Sequence, residues 1–289
     1  MILKSYAKVN LYLKVLSRRK DNYHNIRTVF EKLALCDKIT LKPRPGGLIS
    51  IHCNKSSVPR DENNLCYRAA KLLQEKCGVK TGVDITIDKQ IPVGAGLGGG
   101  SSNAAAVLAG LNRLWKLKLG LNRLINIGRK IGCDVPFFLY DASFALGTSR
   151  GDKIRPIRGL SKVKLWHLVV FPNFKVSTPL VYQKFDRISG LTRPGCNVKI
   201  LTSTLAEYPS ISGFKGLFNS LEAVTENEYP SVRRLKELLK SLNPDNGVLM
   251  SGSGPTVFTL TRSRQEALLL KKKVESKVKS CEVFVARTL

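Results

Sequence analysis

The stretch "PVGAGLGGGSSNAA", residues 92–105, constrains this chain more than any other. It holds five glycines, at 94, 96, 98, 99 and 100, with two serines directly after them. An ordered glycine costs roughly 0.5–1 kcal/mol relative to alanine, so a cluster of them marks a place where backbone must come close to something. The next segment reads as a helix. In "SNAAAVLAGLNRLW", Ala104, Val107, Leu108, Leu111 and Trp115 fall on one face, and Ser101 or Ser102 is suited to cap the start. A glycine-rich loop feeding a helix N-terminus presents backbone N–H groups and the positive end of the helix dipole, and phosphate is the natural ligand. The serine hydroxyls suit phosphate oxygens or a Mg²⁺ ion. The plainer alternative is a flexible turn with close helix packing.

Two familiar phosphate loops do not fit. The P-loop needs a lysine after its last glycine, and none lies between Lys89 and Lys116. A Rossmann fingerprint matches literally at Gly94, Gly96 and Gly99, but it demands an acidic residue about 20 positions on. No Asp or Glu occurs between Lys89 and Cys133.

The chain has 289 residues, room for one large domain or two ordinary ones. Its seven cysteines are odd in number and form no C-x-x-C pair, which reads as scattered reduced thiols in a reducing compartment. The N-terminal apolar runs are broken by Lys4, Lys8 and Lys14, too interrupted for a signal peptide, and no stretch approaches a membrane span. The net charge is +27, yet the basic residues are spread along the chain and no zinc-finger or RNP-type signature accompanies them. Diffuse charge that favours an anionic small-molecule substrate is the expectation, ahead of specific nucleic-acid binding.

Strand-like runs fill the first half: "ILKSYAKVNLYLKVL", "DKITLKP", "GLISIHC" and the alternating "VDITIDK". "NLCYRAAKLLQEKCG" reads as a helix that ends near Gly78. A composition change near 150–162 marks a domain boundary. Beyond it come a buried strand "KLWHLVVFP", a helix stopped by "NPDNG", the strand–turn–strand "GVLMSGSGPTVFTLT", a helix and a last strand "CEVFVAR". That order predicts a βαββαβ layering on an antiparallel sheet.

Three polar sites stand out. Asp134, in "GCDVPFF", is the first carboxylate after a 45-residue stretch with seven basic residues and none acidic. A turn cap and a catalytic base are both open for it. Strand alternation puts Lys8 and Asn10 on one face, where an exposed lysine is the ordinary outcome. Tyr23 and His24, in "DNYHNI", read as turn residues.

The glycine stretch resembles the ATP-binding motif of the GHMP kinases, the superfamily of galactokinase and of homoserine, mevalonate and phosphomevalonate kinases. "AKVNLYLKV" at 7–15 and "SGSGPTVF" at 251–258 resemble its N-terminal motif and its C-terminal glycine motif. Together with "DNYHNIRTVF", "ENNLCYRAAKLL" and "GCDVPFF", they are similar to the 4-diphosphocytidyl-2-C-methyl-D-erythritol kinases of the non-mevalonate isoprenoid pathway.

The resemblance implies an α/β (α+β) fold of two domains with the site between them. A ribosomal protein S5 domain 2-like domain would span 1–158 and a ferredoxin-like domain 159–289. ATP and Mg²⁺ would be used, with the nucleotide on Pro92, Val93, Gly94, Ala95, Gly96, Leu97, Gly98, Gly99, Gly100, Ser101 and Ser102. The γ-phosphoryl group would pass to the 2-hydroxyl of a cytidine diphosphate-linked methylerythritol. Asp134 would be the base, Lys8 its partner, and Asn10 a substrate contact in the same site. His24 would read the cytosine edge, and Tyr23 would stack on the base, opposite Tyr182. Asn64 and Leu65 would border the adenine. No protein ligand to the metal is assigned, and Mg²⁺ would rest on the ATP phosphates, waters and one loop serine. A cytoplasmic monomer or weak homodimer, bound to neither membrane nor specific nucleic acid, completes the expectation. The rivals are another GHMP kinase, of homoserine or mevalonate type, and a nucleic-acid-binding module.

Overall fold

The computed structural model describes residues 1–188, 197–207 and 216–289. Two long antiparallel strands, β1 (Ile2–Arg18) and β2 (His24–Arg44), form its spine. After them come β3 (Ile49–Cys53), α1 (Leu65–Cys77), β4 (Gly82–Asp88), α2 (Gly99–Leu114), α3 (Leu121–Ile131), α4 (Val135–Leu139), β5 (Phe144–Thr148) and β6 (Lys153–Pro156). The second half continues with β7 (Trp166–Phe171), α5 (Thr178–Phe185), α6 (Val198–Glu207), β8 (Phe218–Asn219), α7 (Glu222–Glu228), α8 (Pro230–Leu242), β9 (Val248–Met250), β10 (Val257–Thr261), α9 (Arg264–Lys277) and β11 (Glu282–Arg287).

Local chemistry accounts for most of these elements. In β4, Val83, Ile85 and Ile87 are buried while Asp84, Thr86 and Asp88 are not, as alternation requires. Helix α1 is capped by the Asn64 side chain and closed by Gly78 in the left-handed region. The expected strand "DKITLKP" is the end of the much longer β2. Its first two-thirds carry Glu31, Lys32 and Asp37, charges that break the apolar alternation, and all three are buried against partners from elsewhere in the fold.

Among the described residues, seven strands make one sheet, ordered β3-β4-β2-β1-β8, with β5 on β2 and β6 on β5. The second sheet is β11-β7-β10-β9, antiparallel throughout. Counted in chain order, its strands lie 4-1-3-2, the ferredoxin-like arrangement expected from the second half. The halves are closely joined. Strand β8 pairs with β1, and one buried cluster takes Val9, Leu11 and Leu97 from the first half with Val169, Leu249 and Phe258 from the second. The cleft between the sheets therefore has walls fixed by a common core.

At the base of the glycine loop, the fully buried Asp37 carboxylate meets Lys89 Nζ at 2.5 Å. It also accepts the backbone N–H groups of Gln90 and Ile91 and the Asn103 amide, each at 2.8 Å. Removing one partner of such a pair strands a buried charge. Asp37→Ala is expected to destabilise the fold by about 3–5 kcal/mol, read as a lower urea midpoint.

Burial lowers the Lys32 ammonium from 10.5 to about 8, with Asp141 acting the other way. Between those values the unfolded chain holds a proton that the folded chain lacks, so this group makes stability rise with pH from about 8 to 10.5. Lys32→Met should remove that rise in urea melts compared at the two ends of the window.

Candidate active site

The expected serine cap is not what starts α2. Gly98 caps it, in the left-handed region at φ 68°, with no side-chain hydrogen bond. Ser102 is instead turned into the core, where its hydroxyl accepts from Ser5 at 2.8 Å, so of the two serines only Ser101 lines the cleft. The physical reason is the entry of the chain, in which Leu97 is buried beneath β1 and its carbonyl accepts the Lys8 N–H at 3.0 Å. Ser102 N–H bonds the Gly98 carbonyl at 2.9 Å, and the helical N–H groups ahead of it have no intrahelical acceptor, a donor set that suits an anion.

Two glycines are required sterically. At Gly96, also left-handed at φ 76°, a Cβ would strike the carbonyl oxygens of Ser251 and Gly254. At Gly98 it would stand 2.9 Å from Lys8 Cγ. Pro92 and Val93 do not face the main cleft but a separate cavity of about 220 Å³. Asn64 is committed to capping α1 and to the Pro59 carbonyl, while Leu65 lies against the loop at Gly100.

The main cleft measures about 1110 Å³ and is lined from both halves. Lys8, 4% exposed, reaches across its floor. Its ammonium donates to Asn10 Oδ1 at 2.7 Å, lies 3.5 Å from Asp134 Oδ2 and sits over the Phe30 ring. Asn10 donates in turn to Thr28 Oγ1 at 2.8 Å, and Thr28 to the Tyr12 carbonyl at 2.7 Å. Both ends of the Asn10 amide thus hold protein groups, so Asn10 positions Lys8. Asp134 precedes α4 and its side chain makes no capping bond, which removes the turn-cap alternative. At 32% side-chain exposure, it opens into the cleft. Burial pushes the neighbouring Cys133 thiol up to about 11, so it is a thiol and not a nucleophilic thiolate at neutral pH.

The other wall carries an aromatic group. His24 opens β2 and is buried, contrary to its reading as a turn residue, because the Tyr182 ring covers one face at 4.9 Å. Its Nε2 lies 2.6 Å from Asp186 Oδ1. Burial first, then the charge of Asp134, raises the Tyr182 hydroxyl well above its ordinary range and keeps it a neutral phenol. Tyr23 is half exposed at the cleft mouth, with the Arg150 guanidinium 5.0 Å from its ring.

Sequence reasoning missed Asp186 and Asn219. Asp186 stands four residues after Tyr182 at the end of α5, a spacing that could have pointed to it. Asn219 donates to the Met250 and Gly252 carbonyls at 2.8 and 2.7 Å and so shapes the "SGSG" turn, which meets the loop where Ser251 Oγ donates to Gly96 O at 3.0 Å. No local pattern announces that role. Among the described residues, no group of three or more His, Cys, Asp or Glu is placed to hold a metal ion, and no helix is long and apolar enough to cross a membrane.

Residues 64–142 match the GHMP kinases N terminal domain, and residues 205–280 match the GHMP kinases C terminal family. A 4-diphosphocytidyl-2-C-methyl-D-erythritol kinase of Caldicellulosiruptor saccharolyticus is 41% identical over 93% of this chain and 90% of its own length. One from a Geobacillus species is 42% identical over 91% of this chain and 88% of its own. The crystal structure of a 4-(cytidine 5'-diphospho)-2C-methyl-D-erythritol kinase superposes with a TM-score of 0.82 at 32% identity over the whole of both chains. Homoserine kinase from Cytophaga hutchinsonii shares the fold, with a TM-score of 0.73 at 18% identity over all of this chain and 94% of its own.

The loop geometry yields one expected outcome. A Gly98→Val side chain would both deny the backbone its left-handed turn and press on Lys8. The variant should lose ATP affinity by calorimetry and turnover in an ADP-release assay, while its far-UV circular dichroism stays native.

Proposed function

Since the chain belongs to the 4-diphosphocytidyl-2-C-methyl-D-erythritol kinase family of the GHMP superfamily, we propose that Lys8 and Asp134 carry its phosphoryl transfer from ATP to the 2-hydroxyl of that substrate. The reaction belongs to isoprenoid precursor synthesis by the non-mevalonate route. The observation that carries this reading is the 3.5 Å approach of Lys8 Nζ to Asp134 Oδ2 in a cleft walled by the glycine loop on one side and by His24 and Tyr182 on the other.

Phosphoryl transfer asks the protein for positioning, for neutralisation of phosphate charge and for a group that takes the proton of the attacking hydroxyl. Asp134 is the acceptor of that proton at its carboxylate. Lys8 sets a positive charge beside the oxygen that loses it, and Asn10 with Thr28 fixes the lysine's direction. The cleft-facing residues of the loop, Gly96, Gly98 and Ser101, together with the start of α2, hold the nucleotide phosphates. Ser101 is the loop hydroxyl within the cleft that would help hold Mg²⁺, and the ion would supply neutralisation of phosphate charge.

His24, Tyr182 and Tyr23 form the cytidine wall. Arg18, Arg150 and Arg187 also line the cleft and suit a diphosphate-linked substrate, a use for part of the basic excess. We divide the chain at 158/159, with the first part supplying the phosphate loop and the Lys8–Asp134 pair and the second supplying Tyr182 and the "SGSG" turn. The enzyme works in the cytoplasm as a monomer or weak homodimer on this reading.

The test is Asp134→Asn, which keeps the shape and removes proton acceptance. Its kcat should fall by about 10²–10⁴-fold while ATP still binds. A variant with near-full turnover overturns the assignment.

A further inference from the structure

We propose that Asp186 sets the base preference of the cleft by fixing which ring nitrogen of His24 carries the proton. This rests on the cytidine reading given above. Asp186 ends α5 one turn beyond Tyr182, and its own N–H donates to the Tyr182 carbonyl at 3.1 Å. One short segment therefore supplies both the ring that covers His24 and the carboxylate that meets its edge. Asp186 Oδ1 stands 2.6 Å from His24 Nε2, and Arg18 Nη1 lies 3.7 Å from Oδ2.

An ionised carboxylate has only lone pairs to offer, so the short contact requires a hydrogen on Nε2. In the neutral imidazole, Nδ1 then keeps its lone pair and can only accept. Nδ1 has no hydrogen-bond partner among the described residues, and unlike the nitrogens of His167 it is not sealed from solvent. His24 lines the cleft, so its free nitrogen is an acceptor available to a ligand. Cytosine places an amino donor at C4. Uracil places a carbonyl acceptor there, which would meet a lone pair with a lone pair. Asp186 touches neither base and is a positioning residue: it determines the tautomer, and the tautomer determines the base.

The decisive variant is Asp186→Asn. It is isosteric, but its amide can donate to Nε2 and so permits the other tautomer, with the proton on Nδ1. Three proteins, the wild type, Asp186→Asn and Asp186→Ala, would be assayed with the cytidine substrate and its uridine analogue. In Asp186→Asn the cytidine-to-uridine ratio of kcat/KM should fall by about 10-fold or more, chiefly through KM, with uridine use rising. In Asp186→Ala the ratio should fall without that rise.

Histidine ¹⁵N NMR of the ligand-free proteins, assigned with His24→Gln, gives a readout that packing alone would not move. The proton should sit on Nε2 in the wild type and shift toward Nδ1 in Asp186→Asn. A folded Asp186→Asn that keeps the full ratio, or a wild type with the proton on Nδ1, overturns the proposal. Equal use of both substrates by the wild type overturns instead the cytidine reading, and the base preference falls with it.

Discussion

The glycine-loop side of the cleft is built outward from the buried Asp37 carboxylate. A charge removed from water is tolerated only when its lone pairs are filled, and here four donors fill them: the Lys89 ammonium, two backbone N–H groups and the Asn103 amide. Those donors come from the approach to the glycine loop and from α2. Filling the carboxylate therefore pins the loop's entrance and the helix after it onto β2. Lys89 Nζ also lies 2.7 Å from where a Cβ at Gly99 would stand, so that glycine is the residue that lets the ion pair and the helix start share one space. The geometry of the glycine loop stems from an electrostatic requirement beneath it.

The second half of the chain closes the arrangement from above. The "SGSG" turn, held by Asn219, places Ser251 on Gly96, and a Cβ at Gly252 would stand 3.4 Å from Asn10 Oδ1. Deeper in, Thr288 donates to Glu31 at 2.6 Å, and His167 lies 3.0 Å from the same carboxylate, so the last and first sheets also meet through polar groups shielded from water. Lys8 takes its bonds from Asn10 and Asp134 in the first half, and Gly252 of the second stands close beside its ammonium. Its alignment with Asp134 is a property of the assembled core, and a shift of either sheet would change it.

Much of the site was legible in the sequence because it rests on local chemistry. The glycine loop, Lys8 and Asn10 two apart on a strand, and Asp134 isolated in a basic stretch are signals within short windows, and each lies at the cleft. The errors have a common cause. Ser102 has a hydroxyl suited to a cap or a phosphate, yet Ser5, 97 positions away, takes it. His24 resembled a loop histidine, yet Tyr182 and Asp186 cover it from the other half. The first part of β2 lacked strand periodicity because its charges face partners that only folding supplies.

The sequence by itself determined the elements whose cause is local: the alternation of β4, the caps of α1, the loop-to-helix junction and the strand order compatible with a ferredoxin-like second half. It also determined the chemical inventory of the cleft. Tertiary structure alone decided which of those groups are spent inside the protein and which are left for a ligand. Asn10, Ser102 and Asn64 are spent, whereas Asp134, Ser101 and His24 Nδ1 are left. The reason is that a polar group's availability depends on whether a partner reaches it within about 3 Å, and those partners come from segments far away along the chain.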